Sequence, residues 1–350
     1  MFGKKKNNII VLGADGMLGH DVAELLMREQ KREQSCIGIV TALTHHDISI
    51  ELPYSLSEIV SREYPNPPVK YDYVINCAAM TDTAKIEADS EYRDKAYAVN
   101  AVGPKNIART CAYHKIKLIH ISTDYVYSQR SILDSLPFHS TGYSEIDALH
   151  ISNGLEFPVN TYGMQKLIAE KFIKETMKKS DYAILRTSWL YGAHNSKSFV
   201  HKLLKNFMAQ KREHEACFPG KVFEFGVTQN ELSVPTRSET LAKMVLNAIK
   251  HNLHGTFAAC GTSASSSYAV SRKEWAEEIL KLWLKPEELA SCKVVGIDRN
   301  TLAPKYSRMY NSLNSRDYLK LYNGADYTWQ QDLCWFLSMH KGSIEKFLSC

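Results

Sequence analysis

Short, continuous apolar runs alternate with amphipathic stretches along the first half of the chain. Apolar runs cover residues 8–12, 37–43 and 71–76, and each is followed by small or polar residues. Such runs are typical of strands that are buried on both faces of a sheet. Residues 20–30 have the apolar spacing of an amphipathic helix. This alternation predicts an α/β fold with a parallel sheet.

A further buried strand is predicted at residues 117–121, after a helix that runs through Asn100 to Tyr113. The strand leads directly into Ser122 and Thr123. In doubly wound sheets, ligands bind at the carboxyl ends of the strands. We therefore expect these two hydroxyl side chains to lie where a substrate would bind.

Three glycines join the first strand to the helix that follows it. Gly13, Gly16 and Gly19 have the spacing Gly-x-x-Gly-x-x-Gly. Glycines let the backbone turn tightly and approach a pyrophosphate, which lies at a helix N-terminus because free N–H groups and the helix dipole favour anions there. The position between a strand and a helix predicts a dinucleotide site. A purely structural glycine turn is the alternative.

The end of the second strand bears on the choice of cofactor. An acidic residue that would bind the ribose of NAD is expected there, but residues 41–44 contain none. His45 and His46 follow, and a cationic imidazole would tolerate the 2′-phosphate of NADPH. The sequence therefore favours NADPH slightly and leaves NADPH or NADH open. Asp47 comes next and is a candidate cofactor-binding residue.

Composition narrows the class of protein. With 350 residues, of which 44% are hydrophobic, the chain can bury a sizeable core in one large domain or two coupled ones. The formal net charge is +5, and we interpret the basic clusters at residues 4–6 and 202–212 as solvated surface rather than a nucleic-acid site. No apolar run is long enough to span a bilayer.

The eight cysteines are dispersed and show no Cys-x-x-Cys or other metal-like spacing. We interpret them as reduced thiols of a cytoplasmic protein. We expect no bound metal, no nucleic-acid partner and no membrane partner.

The strongest candidate chemistry is a tyrosine and a lysine four residues apart, Tyr162 and Lys166. On a helix the two share one face and lie one turn apart. An ammonium beside a phenol favours the phenolate and lowers the tyrosine pKa from about 10, so Tyr162 can exchange a proton near neutral pH. Alone, such a pair is usually ordinary helix surface. Here it accompanies the glycine turn and the hydroxyl pair at a strand end.

With these motifs, the chain resembles the dTDP-4-dehydrorhamnose reductase family of extended short-chain dehydrogenase/reductases. Tyr-x-x-x-Lys marks only the superfamily, whereas Ser-Thr-Asp-Tyr-Val together with Arg-Thr-Ser-Trp is much more specific to the reductases. The similarity covers nearly the whole chain. The matching stretches are residues 13–19, 76–81, 120–126, 162–166, 186–192, 234–236 and 307–312, with Trp329.

The resemblance implies reduction of the C4 ketone of a nucleotide-linked 4-keto-6-deoxy sugar, dTDP- or UDP-4-dehydrorhamnose, to the L-rhamnose nucleotide. Tyr162 would protonate the developing alkoxide. Lys166 would lower the tyrosine pKa and hydrogen-bond the nicotinamide ribose, and Thr123 would steady the carbonyl oxygen.

The resemblance also implies residues that bind the two ligands. The substrate contacts of the family fall on Thr123, Asp124, Tyr125 and Trp189. Core packing explains Trp189 equally well. The cofactor contacts fall on Gly16, Met17, Leu18, Ala79 and Thr81, and the other candidates on this side are Gly13, Gly19, Asp47, Ala78 and Asn100, with Tyr162 and Lys166.

The chain departs from the family at several positions. The connection at residues 128–161 is longer than in typical relatives, and loops of that length are commonly functional. Ala84 replaces an acidic residue, and Arg308-Met309 stands where the family has Arg-Pro. The nucleotide base and the sugar stereochemistry therefore stay open.

Other functions can be weighed against the sequence. Dehydratases of the superfamily carry an acidic pair after the threonine, whereas Asp124 is followed here by Tyr125. Epimerase–reductases carry a cysteine where Ser122 and Thr123 stand. A non-catalytic role is the second hypothesis, because the regulatory subunit of methionine adenosyltransferase is similar to the same family. The resemblance also leaves a homodimer open.

The predicted fold class is a Rossmann-type doubly wound parallel sheet with a smaller C-terminal α/β substrate-binding domain. Residues 1–191 would form the dinucleotide-binding domain, to which residues 233–254 return. Residues 192–232 and 255–350 would form the substrate-binding domain. Ser271 is expected to cap a helix that ends near Leu284, and residues 263–267 read as a loop.

Overall fold

The computed structural model of the chain describes residues 5–62, 68–127, 160–194, 198–261, 270–298 and 328–349. Three features singled out in the sequence lie outside these ranges: most of the long connection after Tyr127, the serine-rich loop, and the match around Arg308-Met309. Within the described ranges the cysteines, seven in all, are free thiols. Among the same residues, no helix is both long and apolar enough to cross a membrane.

A six-stranded parallel sheet organises the larger part of the molecule, and it confirms the predicted fold class. The strands are β1 (Asn7–Leu12), β2 (Ile37–Leu43), β3 (Tyr73–Asn76), β4 (Lys117–Thr123), β5 (Tyr182–Thr187) and β10 (Gly255–Ala258). The strand order is β10-β5-β4-β3-β1-β2. The apolar runs of β1, β3, β4 and β5 form largely buried strands, whereas β2 at the end of the sheet is partly exposed.

Helices cover both faces of this sheet. On one face, α1 (Met17–Gln30) packs against α8 (Ser238–Lys250) over a core of aliphatic side chains. The opposite face carries α2 (Ser55–Val60), α5 (Gly103–His114) and α6 (Thr161–Thr176). Because β1, β3 and β4 pair in parallel, their carboxyl ends lie at one edge of the sheet, where ligands bind in doubly wound folds.

A second apolar core lies in the C-terminal part of the chain. Trp275, Phe207 and Phe336 are fully buried at its centre. The elements around it are α7 (Phe199–Cys217), β7 (Phe223–Thr228), α9 (Arg272–Trp283), β12 (Cys292–Ile297) and α11 (Trp329–Leu348), and β7 and β12 pair in parallel. Ser271 caps α9 in a capping box with Glu274, as the sequence predicted.

Short elements complete the described chain. They are α3 (Thr83–Ala88), α4 (Ser90–Tyr97), β6 (Leu190–Tyr191), β8 (Leu232–Ser233), β9 (Thr236–Arg237), β11 (Val270–Ser271) and α10 (Pro286–Ala290). Between α4 and α5, residues Ala98–Val102 form a π-helical turn. Such turns occur frequently at functional sites, and this one contains Asn100.

Among the boundaries that differ from the sequence-based prediction, two bear on the site. Helix α1 begins at Met17 rather than at His20, because the last glycine of the turn belongs to the helix itself. The segment that returns to the large sheet extends beyond residue 254, because Gly255–Ala258 is strand β10 and pairs with β5. The division of the remaining chain into two domains stays a prediction.

A buried ion pair fastens α6 to strand β5. Arg186 donates from its Nε and Nη2 to the two carboxylate oxygens of Glu170, at 2.9 and 2.6 Å. Ser122 of β4 donates to the same carboxylate at 2.7 Å. Burial opposes ionisation of Glu170, but the Arg186 guanidinium outweighs it and holds the pKa of the carboxyl well below its usual range.

Replacement of Glu170 by Gln should destabilise the fold strongly. It leaves the Arg186 guanidinium buried without its counter-charge, and breaking a buried pair costs about 3–5 kcal/mol of unfolding free energy. The matched control is Glu175→Gln on the same helix, because the Lys171–Glu175 pair is exposed and its atoms lie 3.8 Å apart. That control should cost less than about 0.5 kcal/mol in urea unfolding.

The same pair predicts a pH dependence. Because the pKa of folded Glu170 lies below the unfolded value of 4.5, its stabilising contribution is complete above that pH and is lost as the pH falls. The stability difference between the wild type and Glu170→Gln should therefore shrink below pH 4.5 by about 1.4 kcal/mol per pH unit. A difference that stays constant down to pH 3 would contradict this account of the pair.

Candidate active site

The glycine turn after β1 has the geometry of an anion cradle. Gly13 has a positive φ of 75°, and a Cβ there would lie 2.8 Å from the backbone of Ala78. A Cβ on Gly19 would collide with the carbonyl oxygen of Gly13. The turn is therefore closed by backbone-to-backbone approaches that only glycine allows. Gly13 and Gly19 are therefore required sterically, whereas a Cβ on Gly16 would lie 3.2 Å from the Gly13 carbonyl oxygen.

The N-terminus of α1 leaves donors available to an anion. Gly16 is the N-cap, and within the described chain no side chain caps this helix and no acidic residue lies in its first turn. The early N–H groups, on Met17 and Leu18, have no acceptor within the helix. A pyrophosphate suits this site, because it supplies both the missing acceptors and a negative charge at the positive end of the helix dipole.

The loop after β3 lies against this turn. Ala78 approaches Gly13, and Met80, between Ala79 and Thr81, is fixed by Asn100. The Asn100 side chain accepts from the Met80 N–H and donates to the Met80 carbonyl, both at 2.9 Å. Asn100 thus holds the predicted cofactor loop in place, and its side-chain amide forms hydrogen bonds with the protein itself.

The polar residues after β2 are tied to one another. The carboxylate of Asp47 accepts from the N–H and the hydroxyl of Thr44, at 2.8 and 2.7 Å. These hydrogen bonds, led by the Thr44 N–H, lower the pKa of Asp47. His45 pairs with Asp15 of the glycine turn at 2.6 Å. The predicted cofactor role of Asp47 stays a prediction.

The lysine of the Tyr-Lys pair is completely enclosed. The Lys166 amino group donates to the carbonyl of Ile121 at 2.8 Å, and it lies 3.2 Å from Nε2 of His120. Burial lowers the pKa of Lys166 to about 8, against the opposing influence of Glu170 and Cys77. The amino group is thus anchored at the carboxyl end of β4 and exchanges its proton close to neutral pH.

Tyr162 lies at the start of α6, next to the residues after β4. Asn160 caps the helix by accepting from the Gly163 N–H at 2.8 Å. The Tyr162 ring is 8% exposed and packs edge-on against Tyr125, with 5.7 Å between ring centroids. The Tyr162 ring is therefore nearly buried and is held beside the residues that follow β4.

Hydrogen bonds of Thr123 and Asp124 link the end of β4 to β8. The Thr123 hydroxyl accepts from the Tyr125 N–H and donates to Asp124, each at 3.2 Å. The other oxygen of Asp124 accepts from Ser233 at 2.9 Å. Asp124 is 1% exposed, so its direct contact with a substrate stays a prediction.

Trp189 contributes to the aromatic core and carries a strained backbone. Its ring stacks on Trp275 at 5.5 Å, and the Arg272 guanidinium lies 3.6 Å above it. Its φ is +37°, an unusual value for a bulky residue. Packing therefore accounts for part of its role, and both explanations given from the sequence stay open.

Several functional contacts were not found from the sequence. Glu87 accepts from the Thr161 N–H and hydroxyl, at 2.6 and 3.0 Å, and so fixes the start of α6. His120 contacts Lys166, and Glu170 binds Arg186. Only Glu170 left a signal, because it lies one turn beyond Lys166 on the same helix face.

The sequence predicted no metal site. In the structure, ligand atoms of His20, Asp21 and Glu24 lie within 4.8 Å of one another. Asp21 accepts a hydrogen bond from Ser238. The cluster consists of residues near the surface, and the prediction stays untested.

Comparison with known proteins agrees with this geometry. A profile of the RmlD substrate binding domain matches residues 7–339. A dTDP-4-keto-6-deoxy-D-glucose reductase of Streptomyces niveus is 28% identical over 75% of this chain and 76% of its own length. A dTDP-4-dehydrorhamnose reductase of Mycolicibacterium smegmatis is 33% identical over 55% of this chain, and the match covers 48% of that protein.

Two solved structures share the whole fold. One is a dTDP-4-dehydrorhamnose reductase from Clostridium acetobutylicum, with a TM-score of 0.72, 26% identity, and coverage of 95% of this chain and 99% of that one. The other, from Bacillus anthracis in complex with NADP, has a TM-score of 0.71, 25% identity and the same coverage. Fold and site together define an extended short-chain dehydrogenase/reductase, a nicotinamide-dependent oxidoreductase. Within that class the chain belongs to the RmlD family.

Replacement of Gly19 by Ala should weaken the binding of NADPH by about tenfold or more, a loss of about 1.4 kcal/mol. The added Cβ collides with the Gly13 carbonyl oxygen and opens the turn. Gly342→Ala in α11 is the matched control, because a Cβ there meets no atom within 4 Å. Quenching of nicotinamide fluorescence would measure both dissociation constants. An unchanged value for Gly19→Ala would show that the turn is only structural.

Proposed function

We propose that the protein reduces the C4 ketone of a nucleotide-linked 4-keto-6-deoxy sugar, with dTDP-4-dehydrorhamnose as the preferred substrate and an L-rhamnose nucleotide as the product. The observation that carries this proposal is the meeting of three groups at one edge of the sheet. Lys166 is anchored to β4 beside Thr123, and Tyr162 packs on the residues that follow. The glycine turn lies two strands away on the same edge.

The cofactor is NADPH or NADH, and when bound it supplies the hydride that forms the new C–H bond. The glycine turn and the start of α1 would hold its pyrophosphate, and the loop of Ala78 to Thr81 would line its path toward Lys166. We propose NADPH as the favoured form. Support comes from β2, whose end has no free acidic residue: Asp47 is engaged by Thr44, and His45 adds an imidazole beside Asp15.

Tyr162 is the group that protonates the developing alkoxide. Its proton passes to the oxygen at C4, so the ketone gains a hydrogen on carbon and a hydrogen on oxygen. Thr123 steadies that oxygen by hydrogen bonding. The buried Lys166 stands one turn below Tyr162 and returns a proton to the phenolate.

The nucleotide and most of the sugar would be bound by the second core region and the residues after β5. Trp189 and Arg272 present a ring and a guanidinium at the junction of the two parts of the chain. The names of the relatives from Streptomyces niveus and Mycolicibacterium smegmatis support a dTDP sugar over a UDP sugar.

Substitution of Tyr162 by Phe should lower kcat by about a hundredfold or more, because general acid catalysis contributes about 10²–10⁴. The substitution keeps the ring that packs on Tyr125. The assay follows nicotinamide fluorescence during turnover of freshly prepared dTDP- and UDP-4-keto-6-deoxy sugars. Tyr113→Phe is the matched control, since Tyr113 is 82% exposed, and it should leave kcat unchanged.

Wild-type protein that binds NADPH tightly but turns over neither sugar would contradict the proposed reaction. Stoichiometric co-purification with a larger enzyme in that case would favour the regulatory-subunit hypothesis.

A further inference from the structure

His120 is a fully buried histidine on strand β4, and the proposed reduction does not use it. Its side chain is 0% exposed. It lies opposite Asn76 in the β3–β4 pair. Its Nδ1 is 3.2 Å from Nδ2 of Asn76, and its Nε2 is 3.2 Å from the amino nitrogen of Lys166. Both ring nitrogens therefore face a nitrogen.

The orientation of Asn76 decides where the imidazole carries its proton. The Asn76 carbonyl oxygen accepts from the Ala78 N–H at 3.1 Å, so the amide NH2 group points to His120. An NH2 group only donates. Nδ1 of His120 must consequently accept, and in a neutral imidazole the single proton is then on Nε2.

This tautomer directs an N–H at Lys166. An ammonium cannot accept a hydrogen bond, whereas a neutral amine can. The Nε2–H of His120 therefore pairs well with neutral Lys166 and badly with charged Lys166. The Ile121 carbonyl accepts from Lys166 in either state, so the amino group keeps its place while its charge changes.

We propose that His120 is a positioning residue that holds Lys166 and stabilises its neutral form after Lys166 has returned a proton to Tyr162. The inference deepens the proposed reductase function and rests on it. The contact between His120 and Lys166 would then act in each catalytic cycle and would not serve packing alone.

The protons balance through the cycle. Tyr162 gives its O–H proton to the oxygen at C4, and the O–H bond of the product forms. Lys166 then gives one N–H proton to the Tyr162 phenolate, which restores the phenol and leaves an amine. The lone pair of that amine accepts from His120 until a proton from solvent restores the ammonium. His120 keeps its own proton throughout.

The surroundings are consistent with this exchange. Among the described residues, the titratable groups around Lys166 are His120 at 3.2 Å, Cys77 of the loop after β3, and Tyr162 and Glu170, each one turn away on the same helix. Burial, together with the charge of Lys166, lowers the pKa of His120 well below its usual value, which keeps the ring neutral. The Glu170 carboxylate forms its ion pair with Arg186 and not with Lys166.

The first test reads the tautomer directly in the wild type and needs no turnover. Nitrogen NMR of protein labelled with 15N-histidine distinguishes protonated from bare ring nitrogens. The His120 signals are assigned as those that are missing from the spectrum of His120→Gln. We expect the proton on Nε2. A proton on Nδ1, or on both nitrogens, would overturn the proposal.

The second test is the pH profile of kcat in His120→Gln. The glutamine carbonyl can accept from the Lys166 ammonium, so the charged form gains a partner and the neutral form loses one. We expect kcat at pH 7 to fall by about tenfold and the alkaline limb of the profile to move up by about one pH unit, with KM little changed.

The control is His251→Gln, an exposed histidine after α8, which should keep both kcat and the limb of the wild type. A fall in kcat without movement of the limb would assign His120 to packing alone and would refute the proposal. Failure of the proposed function gives a different result, because the wild type would then show no turnover while the tautomer could still be measured.

Discussion

The ion pair of Glu170 and Arg186 fixes the geometry on which the active site depends. It joins the middle of α6 to β5 in the interior, and Ser122 adds β4 to the same carboxylate. A charge pair at this depth gains stability only when its hydrogen bonds are satisfied, and here they are made by three elements at once. Tyr162 and Lys166 stand on the preceding turns of the same helix. The packing of this helix against the sheet therefore depends on a contact that takes no part in the chemistry, and Lys166 adds its own hydrogen bond to Ile121 of β4.

A second constraint is a chain of side-chain contacts that links the carboxyl end of β3 to that of β4. Asn76 binds the Ala78 N–H and faces His120, while His120 faces Lys166. The loop that approaches the glycine turn and the lysine of the active site are thus connected through two buried side chains. A change at either end alters the hydrogen bonding of the other, because Asn76 and His120 are both buried and contact each other.

Much of this arrangement could be predicted from the sequence. Most strands were recognisable because they are buried and continuously apolar. The glycine turn was recognisable because its three glycines are regularly spaced between a strand and a helix. The family resemblance predicted catalytic roles for Tyr162, Lys166 and Thr123, which stay predictions, and the profile match confirms the family. The extent of the returning segment was missed, because β10 is only four residues long, Gly255–Ala258, and carries little periodicity.

The polar interior could not be predicted, for a physical reason. Arg, Glu and Lys are normally exposed, and only the tertiary structure shows that Arg186, Glu170 and Lys166 are buried together. The bonding of Asp47 to Thr44 and the stacking of Trp189 on Trp275 are likewise set by local geometry. The sequence predicted that Asp47 and Trp189 bind ligands, but it could not show which protein groups they contact.

The proposed reduction of the C4 ketone is tested most directly by following the transferred hydride into the sugar product. The protein would be mixed with NADPH that carries deuterium on the transferred position of nicotinamide C4, together with dTDP-4-dehydrorhamnose, and the sugar product examined by NMR. If the hydride is transferred to C4, the product is an L-rhamnose nucleotide with one deuterium on carbon 4. Product without deuterium at that carbon, or deuterium at another carbon, would contradict it.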